Sequence, residues 1–173
     1  MGNVIIIGSL SIDTIAQVEA FPQPGEHLIP AQVVTRFGGK GGNQAMAALR
    51  QGADVLMVGA VGNDRAGKET IAQLRQHNIR ADGIYVREGL ATGSSMVCVN
   101  AKGEHTMLLN LAANDTLTAQ EMHDQLPWIS MSNVMLAQFE VPVEAVAEAL
   151  KIAKPLGTVT CLTAGLFIVG RWL

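Results

Sequence analysis

Aromatic residues make up only 4% of the 173 residues and charged residues only 16%. Cysteine is almost absent. Cys98 and Cys161 stand alone without partner spacing, which excludes a disulfide framework and fits reduced thiols in a cytoplasmic protein. His27, His77, His105 and His123 are scattered, and none joins a Cys or carboxylate at metal-ligand spacing. No Lys/Arg cluster offsets the net charge of -3, so a nucleic-acid track is not expected. Long apolar runs are missing too. Val4-Ile5-Ile6-Ile7 follows Met1-Gly2-Asn3 without a basic stretch, and it is too short for a signal core or a membrane span.

What remains is a chain that is 49% hydrophobic with 18 glycines, the composition of a globular α/β domain. Apolar runs alternate with helix-period segments, the mark of βαβ units. Val4–Ile7, Val55–Val61, Val134–Ala137 and Val159–Leu162 read as buried strands. Helices are expected over 42–51, 65–77, about 119–126, and from Pro142 to about Ala153. Asn114-Asp115 and Thr118 offer turn and cap chemistry before the third of these. Thr14–Val18 and Gln32–Thr35 flank the turn-rich Phe21-Pro22-Gln23-Pro24-Gly25-Glu26, which predicts an excursion off the main sheet. Ile84–Val86, Ser94–Val99 and Thr106–Asn110 complete the strands, the last two joined through 100–104. No repeat or low-complexity linker interrupts the chain.

The densest chemical signal is Phe37-Gly38-Gly39-Lys40-Gly41-Gly42-Asn43-Gln44-Ala45. Glycines opening into an Ala-rich helix let backbone N–H groups approach a polar ligand. Lys40 adds a cation there, and the Asn43 amide both donates and accepts. A second stretch, Gly62-Asn63-Asp64-Arg65-Ala66-Gly67-Lys68-Glu69, spells most of a P-loop. Glu69 stands where Ser or Thr must hold Mg²⁺, so the stretch is read instead as Asp64 capping a helix.

The glycine-lysine run resembles the first signature of the PfkB carbohydrate kinases, nearest the ribokinase branch. Gly8-Ser9-Leu10-Ser11-Ile12-Asp13, Phe21 to Glu26, Val61 to Gly67, Thr92-Gly93 and Gln138-Phe139-Glu140-Val141-Pro142 follow in family order. The resemblance covers about residues 3–160. It implies a Rossmann-like three-layer α/β sandwich with a small β-lid, its strands at about 14–37 and 94–110. It also implies ATP-dependent phosphorylation of a sugar hydroxyl, with Mg²⁺. Asp13, Gly38, Gly39, Lys40, Asn43 and Glu140 match the family's sugar-contacting positions. Ser11 stands where ribokinases usually carry asparagine, which leaves ribose, another pentose, a ketohexose and a nucleoside open as substrates. Met96 and Val97 fall in the lid, where either faces a sugar or a partner lid, with plain lid packing the expected role of each taken singly. Asp13 and Glu140 each follow an apolar strand and are expected together at the carboxyl edge of the sheet.

The family's second signature, an Asp-Thr-x-Gly-Ala-Gly-Asp-like run carrying the anion hole and general base, does not occur in this sequence. The resemblance therefore implies residues 1–162 as the N-terminal part of such a domain, cut partway through the sheet. Such a portion is expected to be inactive alone, or to serve as a sugar-binding or regulatory module. Residues 163–173 depart from the family, as a frameshifted or early-terminated frame would. A homodimer through the lid or the open sheet edge is expected. A dinucleotide-binding oxidoreductase would need G-x-G-x-x-G after the first strand, and Gly8 to Asp13 does not supply it.

Overall fold

The computed structural model describes residues 2–164. In chain order the strands are β1 (Asn3–Ile7), β2 (Ser11–Gln17), β3 (Gln32–Gly38), β4 (Asp54–Gly62), β5 (Arg80–Arg87), β6 (Gly93–Val99), β7 (His105–Asn110), β8 (Val134–Gln138) and β9 (Val159–Thr163). The α-helices are α1 (Lys40–Arg50), α2 (Arg65–Gln76), α3 (Ala119–Asp124), α4 (Leu126–Met131) and α5 (Val143–Ala153).

Five strands form a parallel sheet in the order β5-β4-β1-β8-β9. Its centre explains the apolar runs. Ile5 and Ile7 face one layer and Ile6 the other, and all three are fully buried. Burying each such side chain contributes about 1.5–3 kcal/mol. Ile6 packs with Ala45 of α1 and Leu74 of α2, whereas Ile5 and Ile7 pack with Met122, Ile129 and Val146 of α3, α4 and α5. Helices thus cover both faces, which a parallel sheet requires.

The excursion is a second sheet, in the order β3-β2-β6-β7. β2 runs antiparallel to β3 and parallel to β6, and β6 forms a hairpin with β7. Its first strand starts three residues before the expected Thr14, because Ser11 already pairs with Gly38 and Gly93. Asp13 therefore lies within a lid strand, not in a loop following β1. Met96 and Val97 point to opposite faces, Met96 63% exposed and Val97 9%.

The expected helix at 119–126 is α3, which ends at Asp124, and a second short helix, α4, follows where none was expected. Thr118 caps the first through a capping box with Glu121, and Pro127 sits at the start of the second. Thr163 extends β9 one residue past the expected boundary and pairs with Gln138. The predicted atypical tail, from 165 onward, lies outside the described residues.

Asp64 caps α2 as expected, accepting from Gly67 N at 2.7 Å. It also accepts from Thr92 N at 2.8 Å and Thr92 Oγ1 at 2.6 Å, tying α2 to the start of β6. Burial pushes this carboxyl up, but the hydrogen bonds from Thr92 and Gly67 outweigh it and hold the carboxyl below its ordinary value of 3.8. A depressed folded-state pKa stabilises the fold above the unfolded-state value, and that stabilisation is lost as pH falls through the folded-state value. Asp64→Asn keeps only one acceptor oxygen of the two that Thr92 and Gly67 use, so it should cost about 1 kcal/mol at neutral pH, and the difference should shrink under strongly acidic conditions. Urea unfolding of both proteins across pH checks this; a pH-independent difference would remove the charge from the account.

Candidate functional site

The glycine run is shaped first by packing. Gly39 caps α1 at φ +84°, a left-handed conformation that favours glycine. A Cβ there would fall 2.6 Å from the Ser9 carbonyl oxygen and 2.8 Å from Leu10 Cα. The run is thus seated directly against the β1–β2 connection, and Gly42 N donates to Ser9 O at 3.1 Å. This contact starts α1 at Lys40 rather than at the expected Gly42.

Close seating places the first turn of α1 over Glu140, which follows β8. Glu140 is 4% exposed. Its carboxylate pairs with Lys40 Nζ and accepts from Ser9 Oγ at 2.5 Å. The Lys40 amide donates to Ser9 Oγ at 3.0 Å and to Glu140 Oε2 at 3.4 Å. A nearly buried carboxylate is tolerated only when its oxygens are satisfied; the lysine, the serine and the positive end of the helix do so here.

Asp13 forms a separate centre. Its Oδ1 accepts from Ser11 Oγ and Ser95 Oγ, both at 2.7 Å. A Cβ on Gly38 would fall 1.9 Å from Oδ2, so the glycine makes room for this carboxylate. No hydrogen bond from the described residues occupies Oδ2. Ser11 spends its proton on Asp13, so this hydroxyl orients the aspartate. Asp13 and Glu140, both acceptors when ionised, reach the candidate site from different elements. Asp13 rides on the second sheet, and Glu140 stays with the first.

Gly38 and Asn43 line a groove of about 720 Å³ between β3, α1 and α2. Asp13, Lys40 and Glu140 do not line it. The structure thus brings Lys40 to Glu140 and Ser11 to Asp13, while Asn43 is exposed on the next turn of α1. Sequence reasoning missed Ser9, Ser95 and Gln138. Gln138 is fully buried and donates through Nε2 to Gln44 Oε1 at 2.5 Å, joining β8 to α1. Only tertiary register reveals these three, since no spacing in the chain singles them out.

Comparison with known proteins adds the decisive observation: the family model described as pfkB family carbohydrate kinase matches residues 1–165. The chain belongs to the pfkB family of carbohydrate kinases. It is 33% identical over 161 residues to the ribokinase of Staphylococcus aureus, covering 92% of this chain and 53% of that protein. It is 36% identical over 166 residues to the ribokinase of Schizosaccharomyces pombe, covering 91% and 51%. The chain thus spans about half the length of the curated relatives it matches. Among solved structures, an Arabidopsis thaliana ribokinase complexed with ribose and ATP superimposes with a TM-score of 0.80 at 24% identity, covering 96% of this chain and 54% of that one.

The pfkB assignment agrees with rejecting a P-loop at 62–69. Lys68 is exposed, Glu69 pairs with Arg65, and a Cβ on Gly67 would fall 2.2 Å from the Gly62 carbonyl oxygen. That glycine serves helix–strand packing. No helix among the described residues is long and apolar enough to cross a membrane.

Proposed function

We propose that this chain is the sugar-recognising portion of a ribokinase-like kinase, and that its sugar is ribose. The observation that carries this reading is Asp13. Two serine hydroxyls fix one carboxylate oxygen, and the other is left to accept from sugar hydroxyls. Lys40 and Glu140 would bound the pocket from the main sheet, with Gly38 and Gly39 keeping its walls close to backbone. Asn43 would contribute its amide. Relatives named ribokinase, and a solved relative holding ribose and ATP, support the choice of sugar.

Bound Mg·ATP would supply the phosphoryl group in a member of this family. The sequence contains no second glycine signature to cradle its phosphates. No transfer step is therefore derived from this chain; its residues bind and orient a sugar. We place a second copy on the outer face of the four-stranded sheet, where Val33, Met96 and Leu108 are 54%, 63% and 72% exposed.

Ligand-detected NMR with ribose and its epimers tests the sugar reading. Asp13→Ala should weaken ribose binding at least about tenfold, since it removes charge-assisted hydrogen bonds. Equal signal from the unsubstituted chain and an Asp13→Ala/Asn43→Ala double variant would mean that no such site exists.

A further inference from the structure

The groove between β3, α1 and α2 has a chemistry that sugar recognition does not use. Arg36, Arg50 and His77 lie along it, and no Asp or Glu is among its lining residues. Neither guanidinium has an ion pair among the described residues, whereas Arg65, Arg80 and Arg87 are all paired. Met46 and Leu74 give the groove an apolar floor. At about 720 Å³ it has the size of a small-molecule site.

We infer that this groove binds a small phosphate-bearing molecule, with Arg36 and Arg50 on the phosphate. Arginine presents a planar fork of donors suited to phosphate oxygens. The absence of a lining carboxylate leaves both forks free to serve an incoming anion. Any organic body attached to the phosphate would lie on Met46 and Leu74. The groove borders the proposed sugar site through Gly38 and Asn43, whereas Asp13, Lys40 and Glu140 lie outside it; phosphate shifts at Arg36, Arg50 and His77 therefore separate this inference from the sugar reading.

The test is a backbone-amide NMR titration of the full chain at low ionic strength with three probes: inorganic phosphate, ribose 5-phosphate and neutral ribose. The phosphate probes should give saturable shifts along β3, at the end of α1 and around His77, and added sodium chloride should weaken them. Tighter binding of ribose 5-phosphate would identify an organic phosphate as the ligand, and equal affinity would identify free phosphate. Arg36→Gln/Arg50→Gln should weaken both at least about tenfold. Both arginines are exposed, so the change removes no core packing. The shift map of the unsubstituted chain answers the same question without any variant. Undiminished affinity in the double variant would overturn the inference. So would phosphate shifts confined to Lys40 and Glu140, or the absence of saturable shifts.

Discussion

Gly39→Ala should cost the fold about 3 kcal/mol, through backbone strain and collision together. The residue sits at φ +84°, and its Cβ would meet the backbone of Ser9 and Leu10 at 2.6–2.8 Å. Backbone cannot swing aside as a flexible side chain does. Gly25 is the natural control, because it has the same φ of +84° with nothing within 4 Å of its added Cβ. Gly25→Ala should cost only about 1 kcal/mol, the strain alone. Urea unfolding of both variants separates the two contributions. Equal losses would mean that the glycine run is not seated on the β1–β2 connection as described.

Asn114→Ala should be comparably damaging, at about 2–5 kcal/mol. Asn114 is 1% exposed, and its amide brackets Leu10 by accepting from Leu10 N at 2.9 Å and donating to Leu10 O at 2.8 Å. Removing it orphans two buried backbone groups, each costing about 1–3 kcal/mol. Gly93 leaves room for that amide, since a Cβ there would fall 2.2 Å from Asn114 Nδ2. Asn114→Asp sets an acceptor-only carboxylate against Leu10 O in a buried site, so at neutral pH it should be at least as damaging as Asn114→Ala in thermal or urea unfolding. A loss below about 0.5 kcal/mol for Asn114→Ala, the range of an ordinary surface change, would contradict the bracket.

What could be read from the sequence follows from where the information is local. β1, β4 and β8 were legible because central strands buried on both faces are continuous apolar runs. The cap at Asp64 was legible because it needs only the residues beside it. Asn114 was read as turn chemistry, whereas its amide serves Leu10 more than a hundred positions away. The start of α1 was misplaced because glycines are poor helix formers, and packing against Ser9 decides it instead. α4 was missed although Pro127 suits the opening of a new helix. In the site, the family pattern named Asp13, Lys40 and Glu140. Beyond Ser11, which the family pattern also named, the serines that hold these carboxylates, Ser95 and Ser9, emerge only when β2 lies beside β6 and the β1–β2 connection beside α1. Asp13 was expected in a loop because strand β2 mixes polar and apolar residues, as a half-covered lid strand does.

The central claim is that Asp13 on the second sheet and the Lys40–Glu140 pair on the first enclose one sugar site. A backbone-amide NMR titration of the full chain with ribose tests it most directly. The account predicts saturable shifts at Ser11 to Asp13, Gly38 to Lys40, Ser95 and Glu140, all lost in Asp13→Ala while the spectrum stays dispersed. Shifts absent from these positions, or unchanged in Asp13→Ala, would contradict it.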